Sequence, residues 1–352
     1  MTFEQARALF PVLERIAYLN AGTLGPLARP TVEAMRAAHE HDLEEGRTGR
    51  PYFERALESR DSARTAIAGL IEAEPAQLAL TSSSTDGCNI VLAGLGLGPD
   101  DEVITTTDEH FGLLGPLGTC AARVVVVAPE PDRILAAVTP RTRLLALSEV
   151  LWTTGRVLPV RELRQRSGVP VLVDGAQSVG AIPVSTAGVD FLTVSCQKWL
   201  CGPDQTGALF VAEPERLAVA VPTYFAQAEH EQDGTFVPRA GAQRFDRNWS
   251  VSALAGVLAA LDTRPEWAFE RAAEIADRCR AVLAPGFEVI VPEVPSTLVS
   301  FRPEQEPAAV VEHLLGQGVS VREVPRRSLV RVSCGWWTND ADLERLVEAL
   351  ST

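Results

Sequence analysis

Lysine occurs only once in this chain, and its position is the first indication of chemistry. Of the 32 basic residues among 352, all except Lys198, in the stretch VSCQKWLCGP at 194–203, are arginines. Arginine can replace lysine where only positive charge is needed, but its guanidinium stays protonated and cannot attack a carbonyl carbon. An amine that loses its proton can do so. Lys198 is therefore a candidate imine-forming residue, although a genome biased towards arginine codons would also explain the scarcity of lysine.

Other polar groups stand where β-branched, strand-like runs end. LAL at 78–80 leads into TSSSTDG at 81–87, whose hydroxyls and backbone amides before a helix suit a phosphate group. His110 follows DEVITTT, and Asp174 follows the apolar run PVLV, where a buried carboxylate would need a cationic partner. Simpler explanations remain open: helix capping for the serines and for Asp174, and a surface position for His110.

Together these residues fit one cofactor, pyridoxal 5'-phosphate. Its aldehyde requires an amine, its pyridine nitrogen a carboxylate that keeps it protonated, its ring a flat neighbour, and its phosphate hydroxyl and amide donors. Asp174 and Lys198 are 24 residues apart, the length of one strand–helix–strand unit, so adjacent strands could direct both towards one ring. Ligands of such sheets gather at the carboxyl ends of the strands, and we predict the cofactor site there.

The elements that must position these residues alternate along the chain. Helical spacing at 31–45 and 54–73 is followed by short β-branched runs, separated by helical or turn segments; the runs lie at 101–107, 122–129, 142–150, 170–176, 189–195 and 207–213. This rhythm predicts an α/β fold with a mostly parallel sheet sandwiched by helices. Strands and helices also alternate after residue 262, which predicts a small α+β C-terminal domain.

The chain is long enough for a large and a small domain. We predict an N-terminal segment, 1–17, that packs on the small domain, a large cofactor-binding domain, 18–250, and the small domain, 251–352. The polar and aromatic stretch 222–250 is too long for a simple connection, so we expect it to be functional or to lie at an interface.

Composition argues against several classes of protein. With 46 acidic and 32 basic residues the net charge is −14, which disfavours binding to nucleic acid or to an anionic membrane. No apolar run approaches the roughly 20 residues of a membrane helix, and residues 1–10 do not resemble a secretory signal. Six scattered cysteines fit free thiols in a reducing compartment, and their spacing does not match a zinc site. We expect a cytoplasmic enzyme without a metal.

Two stretches of the sequence carry a family resemblance: VLVDGAQSVGAIPV at 171–184 and DFLTVSCQKWLCGPDQTGALFV at 190–211. Both strongly resemble the class V aminotransferases, a family of fold-type I pyridoxal-phosphate enzymes that includes the cysteine desulfurases. YLNAGTLGPLARPTVEAM at 18–35 and LVRVSCGWWTNDADLERLVEAL at 329–350 match further blocks in the expected order. The resemblance covers nearly the whole chain and implies the fold-type I transferase fold, pyridoxal phosphate, a small amino-acid substrate and a homodimer.

Carried over position by position, the resemblance implies a role for each matched residue. Lys198 would form the imine with the cofactor and carry the catalytic proton. His110 would be the second catalytic residue and would stack on the cofactor ring. Arg331 would bind the substrate carboxylate as a planar fork. The other implied cofactor contacts are Asp174 at the pyridine nitrogen, Gln177 at the ring hydroxyl, Ala176 under the ring, and Ser84, Thr85 and Ser195 at the phosphate.

Three positions depart from the family pattern. Gln197 stands where many relatives have a histidine that helps to bind the phosphate, so this contact becomes neutral. Trp152 replaces an asparagine of the desulfurases, and we expect it in the substrate pocket. The stretch QRFDRNWS at 243–250 replaces a Gly-Thr through which the partner subunit reaches the phosphate, which leaves that contact open. Further aromatic candidates for the substrate pocket are Tyr224, Phe225, Trp336 and Trp337.

The cysteine positions bear on the type of reaction. Desulfurases carry a mobile thiolate on a loop before the segment of Arg331, whereas no cysteine lies between Cys279 and Cys334 in this chain. Persulfide formation on the enzyme is therefore disfavoured. A C–S lyase that acts by β-elimination on a cysteine- or cystine-type substrate needs no enzyme thiol, and we favour it narrowly. A class V aminotransferase, an amino-acid epimerase and a binding protein without turnover remain open.

Overall fold

The computed structural model describes residues 1–352, which form eleven α-helices and four β-sheets. The helices are α1 Phe3–Arg7, α2 Arg29–Glu45, α3 Gly49–Leu70, α4 Ser84–Gly94, α5 Phe111–Leu117, α6 Pro131–Ala136, α7 Val160–Ser167, α8 Val251–Asp262, α9 Ala268–Leu283, α10 Pro307–Gly316 and α11 Asp340–Leu350. The strands are β1 Ala17–Tyr18, β2 Leu78–Thr81, β3 Glu102–Thr106, β4 Arg123–Val127, β5 Thr142–Ser148, β6 Val171–Asp174, β7 Phe191–Ser195, β8 Gly207–Val211, β9 Gln227–His230, β10 Phe236–Pro238, β11 Glu288–Ile290, β12 Leu298–Arg302, β13 Val319–Ser320, β14 Arg322–Val324 and β15 Leu329–Ser333.

The largest sheet has seven strands in the order β2-β8-β7-β6-β5-β3-β4. Strand β8 is antiparallel to both of its neighbours, and the other six strands run in one direction. Most of these strands are buried from end to end, which explains why they read as continuous apolar runs rather than as alternating patterns. The predicted α/β fold with a mostly parallel sheet is confirmed.

The two faces of this sheet pack against separate layers of helices. In β5 the run LLAL divides by the alternation of side chains along a strand: Leu145 and Leu147 join the core with α3 and α7, whereas Leu144 and Ala146 join the core with α4. The helices thus cover both faces, and the carboxyl ends of the parallel strands remain free to form a site at one edge.

The C-terminal part contains an antiparallel sheet in the order β11-β12-β15-β14. In this sheet Arg322 of β14 lies directly opposite Arg331 of β15. Helices α9, α10 and α11 pack on it around a core that includes Phe301 and Val332. This arrangement is the small α+β unit that the sequence predicts.

The proposed domain limits remain a prediction. Helix α8, which starts the predicted small domain, packs against α2 and α3. In the N-terminal segment, Phe10 contacts Trp336 and Trp337, with ring centroids 5.5 and 5.9 Å apart. Within 222–250 the chain forms the β9–β10 hairpin, whose residues are mostly exposed. No helix is both long and apolar enough to cross a lipid bilayer.

Candidate active site

A cavity of about 160 Å³ lies at the carboxyl ends of the parallel strands. The structure brings together there every predicted cofactor residue and Trp152. The lining residues are Ser83, Ser84, Thr85, His110, Gly112, Ser148, Trp152, Asp174, Ala176, Gln177, Ser195, Gln197 and Lys198. Arg331, the predicted substrate ligand, does not line this cavity but contacts Trp152 at its edge. The roles of these residues remain predictions.

Lys198 follows β7 by three residues and directs its amine into the cavity. The surrounding protein lowers the pKa of Lys198 to about 8, chiefly because burial disfavours the charged form; Asp174 opposes this shift, and Arg331 adds to it. At pH 8 about half of such amines are uncharged, against roughly 0.3% for an amine with a pKa of 10.5. The sole lysine is thus prepared to act as a nucleophile and a base.

Asp174 ends β6, the strand next to β7, and is 4% exposed. Its Oδ1 accepts hydrogen bonds from the amide of Ala176 at 3.0 Å and from the hydroxyl of Thr193 at 3.2 Å. Oδ2 has no hydrogen-bond partner in the chain, and no ion pair neutralises the carboxylate. A buried carboxylate with one free oxygen requires a cationic or N–H partner, and a protonated ring nitrogen would meet this requirement.

His110 precedes α5 and caps its N-terminus. Its Nδ1 accepts a hydrogen bond from the amide of Gly112 at 3.0 Å, so the proton of the neutral ring resides on Nε2. Burial, followed by the charge of Lys198, lowers the pKa of His110 to about 4. A neutral, flat imidazole therefore borders the cavity at physiological pH and can stack on another ring without adding charge.

The start of α4 forms an anion cradle. Ser83 is the N-cap, and its hydroxyl accepts a hydrogen bond from the amide of Asp86. The amides of Ser84 and Thr85 have no partner in the chain, which leaves two donors at a positive helix end beside the cavity. A Cβ at Gly112 would lie 2.8 Å from the Thr85 hydroxyl, so glycine at this position keeps that hydroxyl unobstructed.

The two glutamines of the site differ in how many hydrogen bonds their side chains already form within the protein. The Gln177 amide donates to the carbonyl of Gly22 at 2.8 Å and accepts from the indole of Trp199 at 3.0 Å, so one N–H remains for a ligand. The buried Oε1 of Gln197 has no partner. As a neutral group, Gln197 can contact a phosphate only through hydrogen bonds and not through charge.

Trp152 lies between His110 and a pair of arginines. Its ring meets His110 edge to face at 5.0 Å, and the guanidinium carbons of Arg322 and Arg331 lie 5.8 and 5.9 Å from its centroid. Arg331 is 1% exposed and donates only to the carbonyl of Trp152, at 3.1 Å. Its Nε and second amine remain without partners, as does the indole N–H of Trp152.

Two residues near the cavity, Glu109 and Arg322, were not identified from the sequence. Glu109 is buried, and it accepts hydrogen bonds from the hydroxyls of Thr106 and Ser148 and from the amide of Ser148. Burial raises the pKa of Glu109 to about 7. Arg322 was also missed, since it is one of 31 arginines in the sequence; its pairing opposite Arg331 was the only available signal, and this requires the strand register.

Some residues expected near the substrate lie elsewhere. Trp336 and Trp337 are buried against Phe10 in another core, because they follow β15 on the side that faces the N-terminal segment. Tyr224 is 77% exposed, and Phe225 stacks on the guanidinium of Arg60 at 4.4 Å. None of these four aromatic residues lines the cavity.

The residues present fit pyridoxal phosphate. Free donors stand at the α4 terminus, a free carboxylate oxygen stands at β6, and a partly neutral amine stands after β7, with a flat imidazole at the same cavity. Such a set of orphaned polar groups meets the separate needs of the phosphate, the pyridine nitrogen and the aldehyde. The fold and this cavity define a pyridoxal-phosphate-dependent enzyme of fold type I.

Comparison with known proteins identifies the family to which the chain belongs within this class. The family model for class-V aminotransferases matches residues 18–344, and the chain belongs to this family. Isopenicillin N epimerase of Streptomyces clavuligerus is 28% identical, with 99% of this chain and 97% of the relative aligned. A probable cysteine desulfurase of Pseudomonas aeruginosa is 30% identical over 98% of this chain and 96% of the relative.

Among solved structures, the chain is similar to the cystine C–S lyase C-DES in complex with its reaction product, cysteine persulfide. The TM-score is 0.90 and the identity is 26%, with 97% of this chain and 99% of C-DES covered. A C-DES mutant with glycine covalently linked to its pyridoxal-phosphate cofactor gives the same TM-score at 25% identity, covering 98% of both chains. These likenesses relate the chain to desulfurases, epimerases and C–S lyases.

Proposed function

We propose that this enzyme is a C–S lyase that acts by β-elimination on a cystine-type amino acid. The observation that carries the proposal is the pair Arg322 and Arg331, which lie directly opposite each other on the two strands of a hairpin. The guanidinium carbons of both residues lie within 6 Å of the centroid of the Trp152 ring. Neither forms an ion pair with a carboxylate of the chain. Two unneutralised cations beside one cavity favour a substrate with two carboxylates, as cystine has, over one with a single carboxylate.

The two arginines differ in a way that suits two separate carboxylates. Arg331 is buried, and burial followed by the charge of Arg322 lowers its pKa to about 9, so its charge calls for an anion. Arg322 is partly exposed and already donates to the Thr23 hydroxyl at 3.0 Å. We infer that Arg331 binds the carboxylate at the reacting carbon and that Arg322 meets the distal carboxylate nearer to solvent.

The positions of the thiols support elimination over desulfuration. None of the six cysteines lines the cavity. Burial raises the pKa of Cys196 to about 12, and it also raises the pKa of Cys201 above its usual range. The pKa of Cys334 rises as well, through its hydrogen bond with Cys279 and through burial. Such thiols remain protonated and enclosed, so no thiolate is placed to receive sulfur from a substrate.

The residues of this chain divide the work of the reaction. Pyridoxal phosphate, when bound, supplies an electron-withdrawing ring that makes the Cα–H bond of an attached amino acid acidic. Asp174 would hold the ring nitrogen protonated, and Lys198 Nζ would take the proton from Cα. His110 borders the same cavity as a neutral ring, and Arg331 would fix the carboxylate so that the Cα–H bond faces the amine.

The balance of the reaction requires no oxidant and no enzyme thiol. The Cα proton moves to Lys198, the electron pair forms a Cα–Cβ double bond, and the Cβ–S bond breaks. From cystine the leaving group is the thiolate of cysteine persulfide. The remaining three-carbon fragment takes up one water molecule and ends as pyruvate and ammonia.

Product analysis of the purified holoenzyme tests this proposal. With L-cystine we expect pyruvate and a persulfide in equal amounts, and with L-cysteine a slower release of pyruvate. Formation of a new amino acid from an added 2-oxo acid would instead support an aminotransferase. Exchange of the Cα hydrogen with inversion would support an epimerase. Binding of these amino acids without any product would support a protein that holds the cofactor without turnover.

The distal subsite is tested by Arg322→Leu. We expect KM for L-cystine to rise about tenfold, since one charge-assisted hydrogen bond is lost, while KM for L-cysteine changes little. Arg326→Ala is the matched control, because Arg326 is an exposed residue of the neighbouring turn that itself makes no ion pair, so the variant removes one positive charge and nothing else. Equal changes in KM for both substrates would contradict a subsite for the distal carboxylate.

We also propose a homodimer. Helix α2 presents the exposed apolar residues Val32 and Leu43, with Leu27 on the same surface, and the exposed Leu24 lies next to Leu27 in the adjoining cleft. This cleft of about 970 Å³ reaches Gln197, which also lines the cofactor cavity. A dimer in light scattering that becomes a monomer in Leu27→Glu would support this surface as the interface.

We also propose that the protein is located in the cytoplasm, which six free thiols support.

A further inference from the structure

The turn that joins β14 to β15 reaches across to the loop that carries His110. This turn, residues 325–328, lies between Arg322 and Arg331 in the sequence. At its centre Arg327 donates to the carbonyl of Thr107 at 2.8 Å and forms an ion pair with Asp108. The contact therefore joins the small sheet to the residues that follow β3 in the large sheet.

Asp108 is anchored on its other side as well. Its Oδ2 accepts a hydrogen bond from the hydroxyl of Thr153 at 3.1 Å. The carbonyl of Thr153 in turn accepts from the Ser300 hydroxyl of β12 at 2.7 Å. The small sheet thus contacts the loops after β3 and β5 through polar groups, and Trp152 belongs to the second of these loops.

The turn itself has a restrained conformation. Arg326 and Ser328 adopt left-handed backbone angles, with φ of 65° and 52°, which non-glycine residues rarely do unless their surroundings hold them. The guanidinium of Arg302 donates to the carbonyls of Arg327 and Ser328 at 3.4 and 3.3 Å. Because the turn is short and restrained, any shift of the turn would also shift the two strands that it joins.

We propose that Arg327 is a positioning residue, whose ion pair with Asp108 holds the β14–β15 hairpin beside the cavity and thereby positions Arg322 and Arg331 for the substrate. Arg327 does not touch the substrate. This inference rests on the proposed role of the two arginines as carboxylate ligands, but not on the reaction type. Without this latching ion pair, the hairpin would move relative to Trp152, and carboxylate binding would weaken while the cofactor contacts remained intact.

The test compares Arg327→Ala and Asp108→Asn with the control Arg326→Ala in the holoenzyme. In the two latch variants we expect the dissociation constant for glycine, measured by titration of the cofactor absorption band, to rise about fivefold, the size of a partly exposed ion pair. With L-cystine, KM should rise by a similar factor while kcat stays nearly constant. Glycine has a carboxylate but no leaving group, so this readout holds even if the enzyme is not a C–S lyase.

Coupling between the partners distinguishes a latch from two unrelated contacts. The double variant Arg327→Ala with Asp108→Asn should be no weaker in glycine binding than either single variant, and amide hydrogen exchange of residues 322–331 should quicken in all three. Additive losses, a glycine affinity equal to that of Arg326→Ala, or a fall in kcat at constant KM would overturn the proposal. An unchanged cofactor band and melting temperature would show that the variants remain folded and loaded.

Discussion

Arg331 carries a buried charge that no group of the chain neutralises, and this has a measurable consequence for stability. Its pKa falls from 12.5 to about 9, first through burial and then through Arg322. Each pKa unit corresponds to about 1.4 kcal/mol, so holding this charge costs about 5 kcal/mol of folding free energy. The cost is present at every pH below about 9, where the group is charged both in the folded and in the unfolded chain, and it disappears only when both are neutral.

Arg331→Met removes this charge and keeps much of the side-chain volume. The variant loses one hydrogen bond, to the carbonyl of Trp152, worth about 1.5–3 kcal/mol for a charged donor. The two effects leave a net gain, so we expect the ligand-free holoenzyme to be about 2 kcal/mol more stable at pH 7. At the same time kcat/KM should fall about 100-fold, because a bidentate carboxylate contact is lost.

Chemical denaturation at pH 7 and steady-state kinetics measure the two effects on the same samples. A dicarboxylate such as succinate should raise the melting temperature of the wild-type protein, and it should raise that of Arg331→Met by less, because only Arg322 remains to bind a carboxylate. A variant that is less stable than the wild type and equally active would refute the reasoning, since it would make Arg331 a structural residue with a satisfied charge.

Two further predictions follow from the shifted pKa values. Lys198 should form the imine with pyridoxal phosphate added to the apo-protein at a rate that rises with pH and levels off above about pH 8. A rate that still rises towards pH 10 would contradict the lowered pKa of Lys198. The variant Lys198→Arg should abolish the absorption band of the bound cofactor. Because the pKa of Glu109 is raised from 4.5 to about 7, its protonation favours the folded state, and the stability of the protein should decline by up to about 3 kcal/mol as pH rises through this window. Urea denaturation at pH 5 and pH 8 should show a smaller decline in Glu109→Gln, and an equal decline in both proteins would assign the pH dependence to other groups.

The large sheet was predictable because its strands are continuous apolar runs, and because polar residues mark the points where the strands end. Asp174 and Lys198 could be assigned to adjacent strand ends from their spacing and residue types alone. The direction of β8 could not be read from GALFV, since a buried strand has the same composition in either direction. The resemblance to a known family gave the order of the blocks, but not the contacts around Trp152.

The sequence could not predict the part of the site that the small sheet contributes. Arg322 and Arg331 become a pair only through the register of β14 and β15, and side-chain types do not fix that register. Trp336 and Trp337 are candidates for the substrate pocket in the sequence only because they are aromatic. They turn away because the chain leaves the sheet after β15 and packs against Phe10, a contact between residues more than 320 positions apart.

The single antiparallel strand of the large sheet also sets the distance between two parts of the cofactor site. Strand β8 lies between β2, which leads into the α4 cradle, and β7, which leads to Lys198. Since neighbouring strands are about 4.8 Å apart, β8 holds these two attachment points two strand widths, or about 10 Å, from each other. The length of a molecule that can be held at both ends is therefore encoded in the hydrogen-bonded spacing of the backbone, which no single side-chain substitution can alter.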